Sequence, residues 1–389
     1  MGRFRDALAA PSLGAIAEIK RRSPSAGDLR PDADPAALAA AYERAGAAAV
    51  SVLVDERFGG SWDDLRAARA TTRLPLLAKG FFSTEDDLRA AREAGADAVL
   101  LLLRDLDDGR CTSLLGLASE LELDALVEAH DDAELGRALA LPAPVIGVNA
   151  RDLGTFHIDR DAQLELVARA RERAPDRVVV AESGIDTRAQ GAEAELAGAD
   201  AILVGSALMR APDPGAKLAE LLARPLVKVC GLTREEDVEA AADAGADLLG
   251  FVLVPESPRA ARAVLPVPTG TLAVAVWVGE AGASPAHLDQ VHPRELGRVR
   301  GRDAVLLRRG KEVARHLDLP WGEDDPRHWE RAASTEGRIV LAGGLGPENV
   351  RAAIERVRPW AVDASSSLEV APGVKDGARI RAFVEAVRG

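Results

Sequence analysis

Residues 15–20 read AIAEIK, an apolar run that carries two ionisable groups, Glu18 and Lys20, two positions apart. In an extended strand side chains alternate faces, so Ile16, Glu18 and Lys20 share one face while Ala15, Ala17 and Ile19 share the other. A strand buried on both faces does not hold a carboxylate and an ammonium on one of them without partners or a task. The pattern recurs along the chain. Lys79 ends LPLLAK, Glu128 ends DALVE, and Asn149 ends VIGVN with Arg151 just beyond. Glu182 and Ser183 end VVVAES, and Gly205 and Ser206 end AILVGS. Any one of these is most simply a solvated strand end or a satisfied ion pair. Together, two lysines, two or three carboxylates and an amide supply what acid–base chemistry on an anionic substrate needs. The lysines stand out because the chain has six among 49 basic residues. Small residues at Ser183–Gly184 and Gly205–Ser206, each ahead of a helical stretch, leave backbone N–H groups open to a phosphate.

The elements that position these groups follow from a repeat. AGAAAVSVL begins at Ala45, AGADAVLLL at Ala94, AGADAILVG at Ala197 and AGADLLGFV at Ala244. In each, a Gly ends a helical stretch and an apolar run suits a strand buried on both faces, so the rhythm is βα with parallel strands. Eight strands are expected before residue 210, at 15–20, 48–53, 75–79, 98–102, 124–128, 145–149, 177–182 and 201–205. That count fits a closed (β/α)8 barrel, whose strand C-termini gather at one mouth. An open doubly wound sheet is the alternative, though it usually has fewer strands and a Gly-rich first turn. A second series starts at Leu226, with strands at 226–230, 247–253, 272–277, 338–342 and 360–364. Between Val278 and Arg338 only LDQVH, DAVLLRR and VARHLDL are candidates, and GKE between the last two is too short for a crossover helix. Either that region is a hairpin or those segments are not strands. The expected fold class is α/β, with two tandem (β/α)8 TIM-type barrels, the second abbreviated, over residues 1–222 and 226–389.

The composition bounds the function. Hydrophobic residues make up 47% of the 389 and aromatics 3%, so the cores are aliphatic. A net charge of −13 argues against non-specific nucleic-acid binding. No apolar run approaches the ~18 residues of a membrane span. The start, MGRFRDALAAPS, lacks the apolar centre of a signal peptide, and Cys111 and Cys230 do not form a disulfide framework. These features point to a cytoplasmic enzyme with small phosphorylated substrates and neither nucleic acid nor membrane as a partner. The six histidines show no metal-ligand spacing along a helix, so neither a metal nor a cofactor is expected.

The segments AEIKRRSPSAG, AAVSVLVDERFGGSWDDL, LVEAHDDAEL, IGVNARDLGTF, VVAESGI and ADAILVGSALM resemble indole-3-glycerol-phosphate synthase in order and spacing, over roughly residues 5–222. The resemblance implies Lys79 as the general acid for ring closure and Glu128 as the acid–base partner in dehydration. It implies Lys20 on the substrate carboxylate, Glu18 assisting loss of the hydroxyl, and Asn149 positioning Glu128. Ser23, Arg151 and Glu182 would contact substrate, and Ser183, Gly184, Gly205 and Ser206 would take its phosphate. Two departures appear. Only a stub precedes the first strand, where the family has a helical extension, and Gly80 follows Lys79 where the family has Asp. VKVCGLTREEDVEAAADAGADLLGFVLVPESPRA, LAGGLGPENV and VDASSSLEVAPGVKDGARIRAFVEAV resemble phosphoribosylanthranilate isomerase at both ends of residues 226–388. That resemblance implies Cys230 as base, Asp318 as acid, Arg259 as an anion contact, and Gly343, Gly344, Ser365 and Ser366 at the phosphate. The Gly-rich loop expected after Asp318 is absent. Two other readings stay open: a synthase whose second barrel is structural or partner-binding, and a Schiff-base aldolase using Lys79.

Overall fold

The computed structural model describes residues 2–23, 27–152, 154–294, 303–319 and 325–389. It divides into two compact units, Met1–Asp186 with Gly191–Leu222, and Thr187–Gln190 with Ala223–Gly389. In the first, eight strands close a barrel in chain order: β1 (Gly14–Ile19), β2 (Ala49–Leu53), β3 (Leu76–Lys79), β4 (Ala98–Leu102), β5 (Asp124–Ala129), β6 (Val145–Asn149), β7 (Val178–Glu182) and β8 (Ala201–Val204). All neighbours are parallel, and the ring closes where Gly14 pairs with Ala201. The helices between strands start at side-chain caps. Asp34 accepts from Ala36 N–H ahead of Pro35–Arg44, Thr84 and Asp87 form a reciprocal box, and Asp131 accepts from Glu134 N–H.

The alternation in AIAEIK is realised. Ala15, Ala17 and Ile19 pack into the layer between strands and helices, while Ile16 joins an apolar layer inside the barrel with Leu77, Leu100, Leu126, Val180 and Leu203. Phe4 and Leu8, both fully buried, add the helix Arg3–Leu8 to that inner layer. The short N-terminal segment is therefore a plug at the foot of the barrel. With the interior filled by aliphatic side chains, Glu18, Lys79, Glu128 and Glu182 lie at the C-terminal strand ends, while Asp124 at the foot of β5 accepts from Arg5 N–H of the plug helix.

The second unit also closes with eight strands: β9 (Leu226–Cys230), β10 (Leu248–Val252), β11 (Leu272–Val278), β12 (Leu288–His292), β13 (Asp303–Arg308), β14 (Lys311–Leu317), β15 (Ile339–Leu341) and β16 (Ala361–Ala364). The three weak segments are all strands, and β13 and β14 form the hairpin. Arg309 and Gly310, at φ 49° and 78°, make its two-residue turn, a geometry that suits right-twisted strands. In consequence β13 runs antiparallel to both neighbours. The second barrel is abbreviated, but not in its strands. The strand ring is complete, and the shortening falls on the helices. Among the described residues, no helix separates β10 from β11 or β11 from β12.

The interior of this barrel is polar where the first is aliphatic. Lys228 Nζ donates to Gln290 Oε1 at 2.9 Å and to Asp363 Oδ2 at 2.7 Å, with Lys228 only 1% exposed. His316 Nε2 lies 2.8 Å from the same Asp363 oxygen, and Gln290 Nε2 lies 2.7 Å from His292 Nε2. Burial opposes the charge on Asp363, but Lys228 and His316 outweigh it and hold its carboxyl down at about 2.

Candidate active sites

Six strands of the first barrel bring polar groups to the same mouth, and β2 and β4 bring Leu53 and Leu102. Glu18, one residue before the end of β1, is 3% exposed. Lys20 Nζ lies 2.7 Å from its Oε1 and Lys79 Nζ 3.3 Å from its Oε2. Burial disfavours the Glu18 charge, yet the two lysines outweigh it and hold the carboxyl at about 2. Gly205 makes this pairing possible. A Cβ there would sit 2.3 Å from Glu18 Oε1 and 2.9 Å from Lys20 Nζ. So the glycine expected to bare a phosphate-binding N–H also clears space for the ion pair.

Lys79, at the end of β3, is the hub. Its Nζ lies 2.8 Å from Glu182 Oε2 and 3.9 Å from Glu128 Oε2. Burial alone would push its pKa down, but Glu182, Glu18 and Glu128 more than reverse this and hold it well above the usual lysine range. Asn149 Nδ2 donates to Glu128 Oε1 at 3.0 Å, and Asn149 Oδ1 accepts from Arg151 N–H at 2.9 Å. The second oxygen of Glu128 has no hydrogen-bond partner among the described residues. The two carboxyls differ sharply. Burial first, then the charge of Glu128, raises Glu182 to about 8, whereas His130 and Lys79 overcome burial and hold Glu128 at about 2. The two carboxyls titrate as a coupled pair, pushed in opposite directions by their surroundings.

Eleven of the expected side chains and glycines, Glu18, Lys20, Ser23, Lys79, Glu128, Asn149, Arg151, Ser183, Gly184, Gly205 and Ser206, line one cleft. Glu182 does not line it, being fully buried behind Lys79. Ser183 and Gly184 adopt positive φ, 69° and 70°. At Gly184 a Cβ would meet Ile158 at 2.8 Å. The residue reading missed an apolar wall formed by Phe58, Phe81 and Phe156. Phe58 stacks on Phe81 at 6.2 Å, and the Arg57 guanidinium lies 4.0 Å over the Phe81 ring. The available signal was the scarcity of aromatics, since three of seven phenylalanines gather here. The departure at Gly80 also has a local cause. A Cβ there would meet the Phe82 ring at 2.8 Å, and that ring stacks on Trp62.

In the second barrel, Cys230 ends β9 and Asp318 directly follows β14. Both are buried, at 8% and 6% exposure. Burial pushes the Cys230 thiol up, and Lys228 opposes that. Gly250 leaves room for its sulfur, since a Cβ would lie 2.8 Å from Sγ. Arg259 and Ser365 converge over Gly231, where a Cβ would stand 2.9 Å from both. Arg259 is not an unengaged cation: Glu369 accepts from its Nε at 2.9 Å and also takes Lys375 at 2.8 Å. Gly343 and Gly344 follow β15 at φ 92° and 67°, and Ser365 and Ser366 follow β16. No metal-ligand spacing was legible along a helix, but the strands bring His292, His316 and Asp318 together. One ligand atom of each lies within 4.8 Å of the others, a set that could hold a metal ion. Among the described residues no helix is long and apolar enough to cross a membrane.

Comparison with known proteins follows the same division. Residues 2–221 match the family model of indole-3-glycerol phosphate synthase, and residues 327–386 match that of N-(5'-phosphoribosyl)anthranilate isomerase. The synthase of Albidiferax ferrireducens is 47% identical over 221 residues, covering 57% of this chain and 83% of that protein. The synthase of Mycobacterium ulcerans is 46% identical over 218 residues, covering 56% and 79%. Among solved structures, phosphoribosyl anthranilate isomerase from Thermus thermophilus is 27% identical, covering 42% of this chain and 98% of its own, at a TM-score of 0.35. With a synthase match over more than half its length and an isomerase match near its C-terminus, the chain belongs to the indole-3-glycerol phosphate synthase family and has the make-up of a bifunctional enzyme of tryptophan biosynthesis.

Proposed function

We propose that the first mouth closes the indole ring of carboxyphenylaminodeoxyribulose phosphate, with loss of CO₂ and water, through Lys79 and Glu128. The observation that carries this reading is the placement of Lys79, Glu128, Glu18 and Lys20 around one cleft above an aliphatic floor. Lys20 and Arg151 hold the substrate carboxylate, and the Phe58–Phe81 wall takes its aromatic ring. Ser183, Gly184, Gly205 and Ser206 receive the phosphate on backbone N–H groups and hydroxyls. Lys79, protonated in the resting site, donates to the carbonyl oxygen as the ring carbon attacks and the C–C bond forms. The carboxylate then leaves as CO₂, and its electrons restore the pattern broken by attack. The hydroxyl leaves as water on a proton from the Lys20 ammonium, which Glu18 holds at 2.7 Å, Glu128 takes the proton released from the carbon beside the nitrogen, and solvent resets the lysines and Glu128. Glu182 acts behind Lys79, as the group that fixes its position.

In the second mouth, Cys230 removes the C2 proton of phosphoribosylanthranilate while Asp318 protonates the ring oxygen as the furanose opens. Gly343, Gly344, Ser365 and Ser366 anchor the phosphate, and Arg259, tied to Glu369, braces that wall. The boundary between the two activities falls between residues 222 and 226. Steady-state turnover of carboxyphenylaminodeoxyribulose phosphate tests the first assignment. Lys79→Ala is expected to abolish it, and Ser206→Asp is expected to raise KM by placing a carboxylate among the phosphate donors. An unchanged KM in Ser206→Asp would put the phosphate elsewhere.

A further inference from the structure

Glu128 has a companion that this scheme does not use. His130 directly follows β5 and leads into the helix Asp132–Ala140. Its Nδ1 lies 3.0 Å from Glu134 Oε2, which also accepts from the His130 backbone N–H at 2.9 Å. Its Nε2 lies 3.1 Å from Glu128 Oε1. The arrangement is built into the helix start. Asp131 caps the helix by accepting from Glu134 N–H at 2.8 Å, and the Glu134 side chain then turns back over His130. Nδ1 bonds Glu134, while the Nε2 contact with Glu128 is one of charge without hydrogen-bond alignment, and two carboxylates this close favour the imidazole as a cation.

The charges around Glu128 give this cation a purpose. From β3, Lys79 approaches to 3.9 Å, from β6 comes the Asn149 amide, and from β7 Glu182 competes for the same lysine. Lys79 is much nearer to Glu182, at 2.8 Å, and on its own would leave the negative charge of the pair there. The shifts run the other way, with Glu128 held low and Glu182 raised, and His130 is the cationic contact that Glu128 has and Glu182 lacks. His130 contacts Glu128 and Glu134, and no contact joins it to Glu182 among the described residues. The remaining charges near it are Asp152, beyond β6, and Arg137, which acts on Glu134.

We propose that His130 is a positioning residue for the synthase reaction: wedged between Glu134 and Glu128, it keeps Glu128, the carboxylate that faces the cleft, ionised and in place. The inference rests on Glu128 as the acid–base group. Glu134 sets the cation in turn, because the two carboxylates overcome burial and raise the imidazole to about 10.

The test is the pH profile of kcat/KM on the full-length chain, with carboxyphenylaminodeoxyribulose phosphate as substrate. His130→Gln keeps a donor and removes the charge. Its acid limb is expected to move up by at least one pH unit, a loss of about ten-fold on that limb. Glu134→Gln leaves His130 with one carboxylate and lowers its pKa, so an alkaline loss is expected at lower pH than in the wild type. This second variant decides the matter if His130→Gln does not fold. Wild-type-shaped profiles in the folded variants would overturn the inference and leave His130 a packing residue. Glu128→Gln separates the two levels. If it is inactive while the His130 and Glu134 profiles are unchanged, only the role of His130 fails. If it turns over normally, the assignment of Glu128 fails first.

Discussion

Glu128 and Glu182 are chemically identical residues at the ends of β5 and β7, on either side of β6, yet they are prepared for different tasks. Glu128 is held low, has one oxygen without a hydrogen-bond partner among the described residues and is held by Asn149, whereas Glu182 is fully buried, raised above the usual glutamate range and tied to Lys79. Glu128→Gln is therefore expected to lower kcat by 10²–10⁴-fold without unfolding the chain, measured by turnover alongside circular dichroism. Glu182 carries a pH signature of its own. Its folded pKa, about 8, lies above the ordinary glutamate value, so it favours folding below pH ~4.5, and that contribution is lost as pH rises through about 8. Urea denaturation at pH 5.5 and 8.5 is expected to show this loss in the wild type and a smaller one in Glu182→Gln. At this scale much was legible from the chain alone, because a charged residue at the end of an apolar run is conspicuous. Glu18, Lys20, Lys79 and Glu128 all line the cleft for that reason. The split between Glu128 and Glu182 was not legible, since it depends on a histidine two residues away and on which carboxyl lies nearer Lys79 across the barrel.

The elements carry these groups by two different kinds of interior. In the first barrel the helix Arg3–Leu8 inserts Phe4 and Leu8 into an aliphatic layer. Phe4→Ala is expected to cost about 3–5 kcal/mol, read from urea unfolding of the full chain. In the second barrel the corresponding space holds the Lys228–Asp363–His316 network. Removing one partner strands a buried charge, so Lys228→Ala is expected to destabilise by about 3–5 kcal/mol. Lys228→Met combined with Asp363→Leu is expected to recover most of that loss, and a double variant no better than the single would show that the network is not self-contained. The repeats AGAAAV, AGADAV, AGADAI and AGADLL made the first eight strands and both ends of the second series readable. Residues 278–338 resisted because a hairpin replaces a βα unit there. Antiparallel strands exposed on one face alternate in polarity and lack the continuous apolar signature of a buried parallel strand. All three ambiguous segments are strands, and the short GKE link lies at the turn between the last two.

At the scale of the molecule, the chain joins a synthase-family barrel to a barrel with an isomerase match at its C-terminal end. If both mouths work as assigned, the second makes the substrate of the first, and one measurement addresses the whole arrangement. Purified chain is given phosphoribosylanthranilate, and both its consumption and the appearance of indole-3-glycerol phosphate are followed. Wild type is expected to consume the substrate and release the indole product. Lys79→Ala is expected to consume it and accumulate carboxyphenylaminodeoxyribulose phosphate, while Cys230→Ala is expected to leave it unconsumed. A wild-type chain that converts added carboxyphenylaminodeoxyribulose phosphate but leaves phosphoribosylanthranilate untouched would contradict the isomerase half. A chain that consumes phosphoribosylanthranilate without ever forming the indole product would contradict the synthase half.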